Sequence, residues 1–303
     1  MPDSIRTHSQ CNDIESRQHK VATTVTSGDC RVRGLNTPAG FGLIMHLVLG
    51  VSRPRQPILG TELAGNIEAV GTDVSKFQVG DRVFAYTDTG MGCYAEYKCM
   101  PQDGAVVRIP SNVTFEEAAA MSFGGTTALH FLREAKLRNG EKVLINGASG
   151  GVGTAAIQLA KHFGAEVTGV CSTANVDLVR SLGADHVIDY TVEDFTQNGE
   201  TYHVILDTAG TGRYSRSKAS LEEGGRLLLV LAGLPDMLPI PWVWMTSSKK
   251  IIAGPAPNPG RPGSNARTRP PTISCLVSSG RTGRTKRNNS FAISISIGSP
   301  RGC

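Results

Sequence analysis

The stretch from Val143 to Lys161 constrains this chain more than any other. Val143-Leu-Ile-Asn146 is an apolar run, Gly147-Ala-Ser-Gly-Gly-Val-Gly153 is small and glycine-rich, and Thr154-Ala-Ala-Ile-Gln-Leu-Ala-Lys161 has a helical period. A strand, a tight turn and an amphipathic helix in that order form the arrangement that holds a dinucleotide pyrophosphate. Asn146 closes the strand. The small residues Ala148, Ser149, Gly150 and Gly151 let the backbone approach the phosphates. Val152 enters the helix, and Gly153 lets that helix pack close to the strand. Bare N–H groups at the helix start, together with the positive end of its dipole, hold the anion. A glycine turn alone is a weak signal, so the flanking segments decide.

Those flanks repeat the pattern. Ala165–Cys171 reads as a second strand and Asn175–Leu182 as a second helix closed by Gly183. His186–Ile188, His203–Asp207 and Gly225–Leu231 supply further apolar runs. Short apolar strands alternating with helices predict a parallel sheet buried on both faces. Residues 141 to about 232 therefore predict an α/β Rossmann unit, a doubly wound parallel sheet.

A Rossmann site that selects NAD carries an acid at the tip of the second strand, about 20 residues past the glycines, to accept the ribose 2′-hydroxyl. Here that tip reads Cys171-Ser172-Thr173-Ala174-Asn175, with no acid. Asp177 follows a predicted Asn175 N-cap, where a first-turn carboxylate is ordinary helix-dipole chemistry. Two hydroxyls, Ser172 and Thr173, tolerate a 2′-phosphate, so NADPH is expected over NADH. The absence of a Lys or Arg at the tip limits that preference, since phosphates are usually paired with cations.

Charge separates the ends from the body. Asp236 is the last acidic residue, and the eight Arg and Lys residues beyond Asn258 carry +8 of a net +5, leaving −3 elsewhere. A basic tail rich in Pro, Gly, Ser and Arg could meet nucleic acid through phosphates, but Phe291 is its single aromatic residue, and a disordered segment is the expectation. Ala292–Ile297 alternates like a strand without an evident partner. Seven cysteines form no C-x-x-C pair, which suggests a reducing compartment. The longest apolar stretch, Phe41–Leu49, is too short to span a bilayer, so a soluble, cytoplasmic protein with no membrane partner is expected.

Upstream, residues 57–110 alternate short apolar runs with Gly and Asp turns and predict a small β-barrel. Gly92–Tyr97 is among its expected strands. Thr114-Phe-Glu-Glu117 is a capping box opening a helix through Met121, and Thr126–Arg133 reads as a further helix.

Six segments in order, Gly60–Gly65, Val79–Val83, Tyr94–Tyr97, Gly124–Thr127, Asn146–Gly153 and Ser181–Asp185 with Asp189–Tyr190, resemble the medium-chain dehydrogenase/reductase superfamily, in its zinc-free quinone oxidoreductase branch. The match runs from about Val21 to Pro257. It implies a GroES-like catalytic domain at 21–121 and a Rossmann NADP-binding domain at 122–257; outside the match lie an atypical polar segment at 1–20 with no strand-like run and a basic tail at 258–303. It also implies hydride transfer from NADPH to a quinone or an α,β-unsaturated carbonyl, usually in a homo-oligomer. By the same resemblance Thr127 lies near the nicotinamide, Ser172, Thr173 and Tyr190 near the adenosine 2′-phosphate, and Asp29 and Arg31 along the substrate cleft.

The metal argument is chemical. The Gly-His-Glu motif of zinc alcohol dehydrogenases reads Gly60-Thr61-Glu62, and a threonine hydroxyl is a poor zinc ligand, so no zinc is expected. A simple alcohol then lacks an activating Lewis acid, whereas an enone already carries an electron-poor carbon. Tyr86, Tyr94 or water are open alternatives as proton donor. Both ends depart from the family pattern and look like frame shifts or mispredicted gene ends. They leave the barrel short of strands and keep two other readings in play: a nucleotide-binding protein without catalysis, with or without RNA contacts, and a defective remnant.

Overall fold

The computed structural model describes residues 12–35, 37, 39–50, 55–87, 90–254, 284–285 and 292–293. The chain divides into two compact units. Among the described residues, the first holds 12–33 and 55–122, and the second holds 34–50 and 123–254 with the two short distal segments.

The first unit is an antiparallel sheet. Its strands are β1 (Glu15–Ala22), β2 (Glu62–Val70), β3 (Arg82–Tyr86), β4 (Tyr97–Pro101) and β5 (Val106–Arg108), in the order β4-β1-β2-β3-β5. Helix α1 (Ser27–Arg33) follows β1, and α2 (Gly42–Leu49) lies next in the chain but groups with the second unit. Leu63, Ile67, Val83, Ala85, Cys93, Met100 and Val106 pack into one core, with Phe77 against it. Each Leu, Ile, Val or Met side chain among them contributes roughly 1.5–3 kcal/mol on removal from water.

β1 corrects the expectation of a strandless segment at 1–20. It begins at Glu15 and pairs on both sides, with β2 (Ser16↔Val70 through Ala22↔Ala64) and with β4 (Glu15↔Pro101 through His19↔Tyr97). Its inward positions are polar: Ser16 and Gln18 are fully buried, Ser16 Oγ donates to Met100 O at 3.5 Å, and Gln18 Nε2 donates to Ser16 Oγ at 3.4 Å. Alternation of burial is present without alternation of hydrophobicity. The expected strand at Gly92–Tyr97 is instead a turn, with β4 starting at Tyr97.

Two expected helices are one. α3 runs unbroken over Phe115–Glu134, opened by the capping box: Thr114 N donates to Glu117 Oε2 (2.9 Å) and Glu117 N to Thr114 Oγ1 (3.2 Å). Gly124-Gly125 does not break it. A Cβ on Gly124 would lie 2.4 Å from Gly151 O, so the glycine is there for the close approach of two backbones.

The second unit is a six-stranded parallel sheet: β6 (Lys142–Asn146), β7 (Glu166–Cys171), β8 (His186–Asp189), β9 (Tyr202–Asp207), β10 (Leu221–Leu229) and β11 (Lys250–Ala253). The order β8-β7-β6-β9-β10-β11 is that of a doubly wound Rossmann sheet, and every ladder is parallel. Helices α4 (Gly151–His162), α5 (Val176–Ser181), α6 (Tyr214–Ser217), α7 (Leu234–Met237) and α8 (Ile240–Thr246) connect the strands. Val143, Leu144 and Ile145 are all completely buried, as successive residues must be when both sheet faces are covered. Leu144, Val170, Ile205, Leu227, Leu229 and Ile251 form much of one core.

In the tail, β12 (Arg284–Thr285) pairs antiparallel with β13 (Ala292–Ile293), so the strand-like run acquires a partner at its first two residues. The rest of 258–303 lies outside the described residues. Cys99 is disulfide-bonded, which the lack of a disulfide spacing did not announce; Cys30, Cys93 and Cys171 are free thiols.

Candidate active site

The chain order reverses between β6 and β9, which lie side by side with Asn146 opposite Asp207. Ligands of open α/β sheets bind outside the carboxyl ends of the strands at such a reversal. The glycine turn leaves β6 at this point. Gly147 has φ +82°, and a Cβ there would lie 2.5 Å from Thr208 Oγ1; one on Gly153 would lie 2.2 Å from Gly147 O. Gly150 is the N-cap of α4, without a side-chain capping bond, and Thr154 N donates back to its carbonyl at 2.8 Å. The first-turn amides of Gly151, Val152 and Gly153 precede the first residue with an acceptor one turn back, and so are available to an anion. Ala148 is completely buried beneath the turn, while Gly150 and Gly151 are exposed and Ser149 half-buried.

Asn146 has a supporting role. Its Nδ2 donates to Asp207 Oδ1 and to Thr211 Oγ1, both at 2.8 Å. Asp207, 1% exposed, in turn accepts from Ala209 N, Gly210 N and Gly212 N. Thr208 Oγ1 donates to the carbonyls of Asn146 (2.9 Å) and Gly147 (3.1 Å). Thus the loop after β9 is stitched to the glycine turn. Sequence reasoning missed Gly147, Asp207, Thr208 and Thr211, although a strand-end Asp207-Thr-Ala-Gly-Thr-Gly212 is a turn signal that could have found three of them.

Thr127 is buried in α3, on the face shared with Gly124 one turn before it, and that face packs on Gly151. At the β7 tip, Ser172 Oγ accepts from Asn175 Nδ2 at 3.0 Å. Thr173 Oγ1 lies 3.1 Å from Thr191 Oγ1, and Asp189 Oδ1 accepts from Thr191 N (3.0 Å) and Thr191 Oγ1 (2.8 Å). Hydrogen bonding from the Thr173 hydroxyl, then from Thr191, holds the Asp189 carboxyl below its ordinary range. Tyr190 is 62% exposed, so its ring is not core packing. Cys171 at the strand end is pushed up to about 11, by burial first and then by Asp189.

The remaining predicted residues belong to the first unit. Asp29, 6% exposed, accepts from Thr26 N (2.8 Å) and Thr26 Oγ1 (2.7 Å) at the start of α1, which orders that turn; Arg31 stands in the last turn of the same helix. The Tyr94 hydroxyl is buried beside Asp29, and burial, then the Asp29 charge, raises it to about 12. Glu62 is 1% exposed; Ser122 Oγ donates to its Oε1 at 2.7 Å and Thr24 Oγ1 to its Oε2.

Comparison with known proteins agrees with both units. The family described as alcohol dehydrogenase GroES-like domain matches residues 20–111, and that described as zinc-binding dehydrogenase matches residues 151–252. A quinone-oxidoreductase homologue of the chloroplast of Spinacia oleracea is 35% identical over 67% of this chain and 66% of its own length. The structure of Escherichia coli quinone oxidoreductase complexed with NADPH aligns with a TM-score of 0.66 and 25% identity, over 82% of this chain and 74% of that one. This chain belongs to the medium-chain dehydrogenase/reductase superfamily, in its quinone oxidoreductase branch. A 2-methylene-furan-3-one reductase of Solanum lycopersicum is 34% identical over 64% of this chain and 51% of its own length. The aligned part thus spans about half to two thirds of the curated relatives it matches.

Proposed function

We propose that this chain is an oxidoreductase that transfers hydride from NADPH to a quinone or an α,β-unsaturated carbonyl without zinc. The observation that carries the reading is the β6–α4 turn at the point of strand-order reversal, where Gly153 and Gly124 leave no room for a Cβ and the α4 amides are uncapped by side chains. Such a cradle fits a dinucleotide pyrophosphate. Residues Gly150–Gly153 would hold the phosphates, and Asn146 with Asp207 would keep the turn in shape. Bound there, a nicotinamide dinucleotide supplies the hydride. Thr127 would flank its nicotinamide end, and Ser172, Thr173 and Tyr190 its adenosine end.

The donor set does not suit a catalytic zinc. Thr61 stands where the related zinc enzymes place an imidazole, and both Glu62 oxygens already accept hydroxyl protons from Ser122 and Thr24. Among the described residues no three His, Cys, Asp or Glu side chains are grouped as metal ligands. Without a Lewis acid, an acceptor must carry its own electron-poor carbon, which quinones and enones do. The names of the spinach and tomato relatives point to the same acceptor classes. Asp29 and Arg31 are proposed to face the acceptor; Asp29 is held in place by Thr26.

Two measurements on the purified full-length chain test this. Oxidation of NADPH, followed by its absorbance, is expected to depend on an added quinone or enone and to survive dialysis against a chelator. Zinc content is expected below about half an equivalent, since a tight site needs three or four suitable protein ligands. Loss of activity on chelation, restored by zinc, contradicts the zinc-free mechanism. Absence of turnover with every acceptor, alongside intact NADPH binding, favours a nucleotide-binding protein without catalysis.

A further inference from the structure

The acid-free tip of β7 has an acid beside it on the neighbouring strand. Asp189 ends β8 and stands opposite Cys171 in the β7–β8 ladder, at the carboxyl edge of the sheet. Of the two hydroxyls expected to greet a 2′-phosphate, Ser172 Oγ accepts from Asn175 Nδ2, while Thr173 is drawn into contacts with Asp189 and Thr191. Thr191 has one hydroxyl proton, and it goes to Asp189 Oδ1 at 2.8 Å. The Thr173 hydroxyl lies 3.1 Å from Thr191 Oγ1 and also hydrogen-bonds to Asp189. Both threonines thus face a carboxylate as donors, and the segment Ser172–Asn175 holds no cation to offset it.

We propose that Asp189 determines cofactor selectivity, its carboxylate accepting the ribose 2′-hydroxyl of NADH and opposing the 2′-phosphate of NADPH. The acid that other Rossmann sites carry on the second strand is supplied here by the third. Its effect narrows the NADPH preference that the bare β7 tip would otherwise give. The inference rests on the cofactor reading of the glycine turn.

The test is a fluorescence titration of the full chain with NADPH and with NADH, for the unaltered protein, Asp189→Asn and Asp189→Ser. Both variants keep an acceptor for Thr191 N, and the Ser variant guards against a fault peculiar to the amide. The Kd ratio of NADH to NADPH is expected to rise about fivefold or more in each, because a unit charge is removed from beside a phosphate dianion. Ratios that stay within about twofold of the unaltered protein overturn this inference alone. Saturable binding of neither nucleotide to the unaltered, folded chain overturns the cofactor reading, and this inference with it.

Discussion

Gly153 shows how one missing methyl group sets a binding site. Its α-carbon sits against the backbone of Gly147 and Ala148, and a Cβ would lie 2.2 Å from Gly147 O, inside any tolerable contact. Replacing Gly153 with Ala must push α4 away from the turn and misalign the amides that hold the phosphates. NADPH affinity is expected to fall at least about tenfold, a loss of one good charge-assisted bond, by titration against the unaltered chain. Unchanged affinity in a folded variant would mean the amides are not the anion site. The turn was legible in the sequence because glycine and small residues sit between a strand pattern and a helix pattern. Its supports were not. Asp207 is an ordinary strand-ending aspartate until the fold shows three loop amides converging on it.

At the scale of elements, two polar contacts tie strands of the second unit to their connections. Arg226 on β10 meets Glu141, just before β6, through Nη1–Oε1 (3.0 Å) and Nη2–Oε2 (2.6 Å), and its Nε donates to Ala135 O (3.0 Å). The side chains are 15% and 11% exposed. Arg226→Met leaves the Glu141 carboxylate nearly buried without its partner and is expected to cost about 3 kcal/mol in urea unfolding; adding Glu141→Leu should recover much of it. Asp185, before β8, binds Lys161 of α4 (2.8 Å) and accepts from Val167 N (2.7 Å). Partial burial pushes its carboxyl up, but the Lys161 bond and the Val167 amide outweigh that and leave it below the ordinary range. A folded-state value below the unfolded one stabilises above the ordinary carboxyl range, near about pH 4, and the benefit disappears as pH falls through the depressed value. Stability curves of the unaltered chain and Asp185→Asn should therefore differ at pH 6 and converge below about pH 3. Parallel curves would remove Asp185 from the account. Element boundaries were legible wherever hydrophobicity and burial coincide, as in Val143–Ile145. They were hidden in β1, where Ser16 and Gln18 point inward, and in α3, where Gly124-Gly125 reads as a break but serves a close contact.

For the whole molecule, the six-stranded order and the five-stranded antiparallel sheet place the chain in its superfamily, and both units were expected from their turn chemistry. Lost to the reading from sequence was the start of the first sheet at Glu15, because a polar strand gains its place from partners on both sides and not from its own pattern. Among the described residues no helix is long and apolar enough to cross a membrane. The central claim is that the turn between β6 and α4 holds a nicotinamide dinucleotide. Its most direct test is equilibrium titration of the purified full-length chain with NADPH, read by nucleotide fluorescence, with circular dichroism confirming a folded sample. Saturable one-to-one binding that adenosine 2′,5′-bisphosphate competes away is the predicted result. A folded chain that binds no NADPH would contradict it.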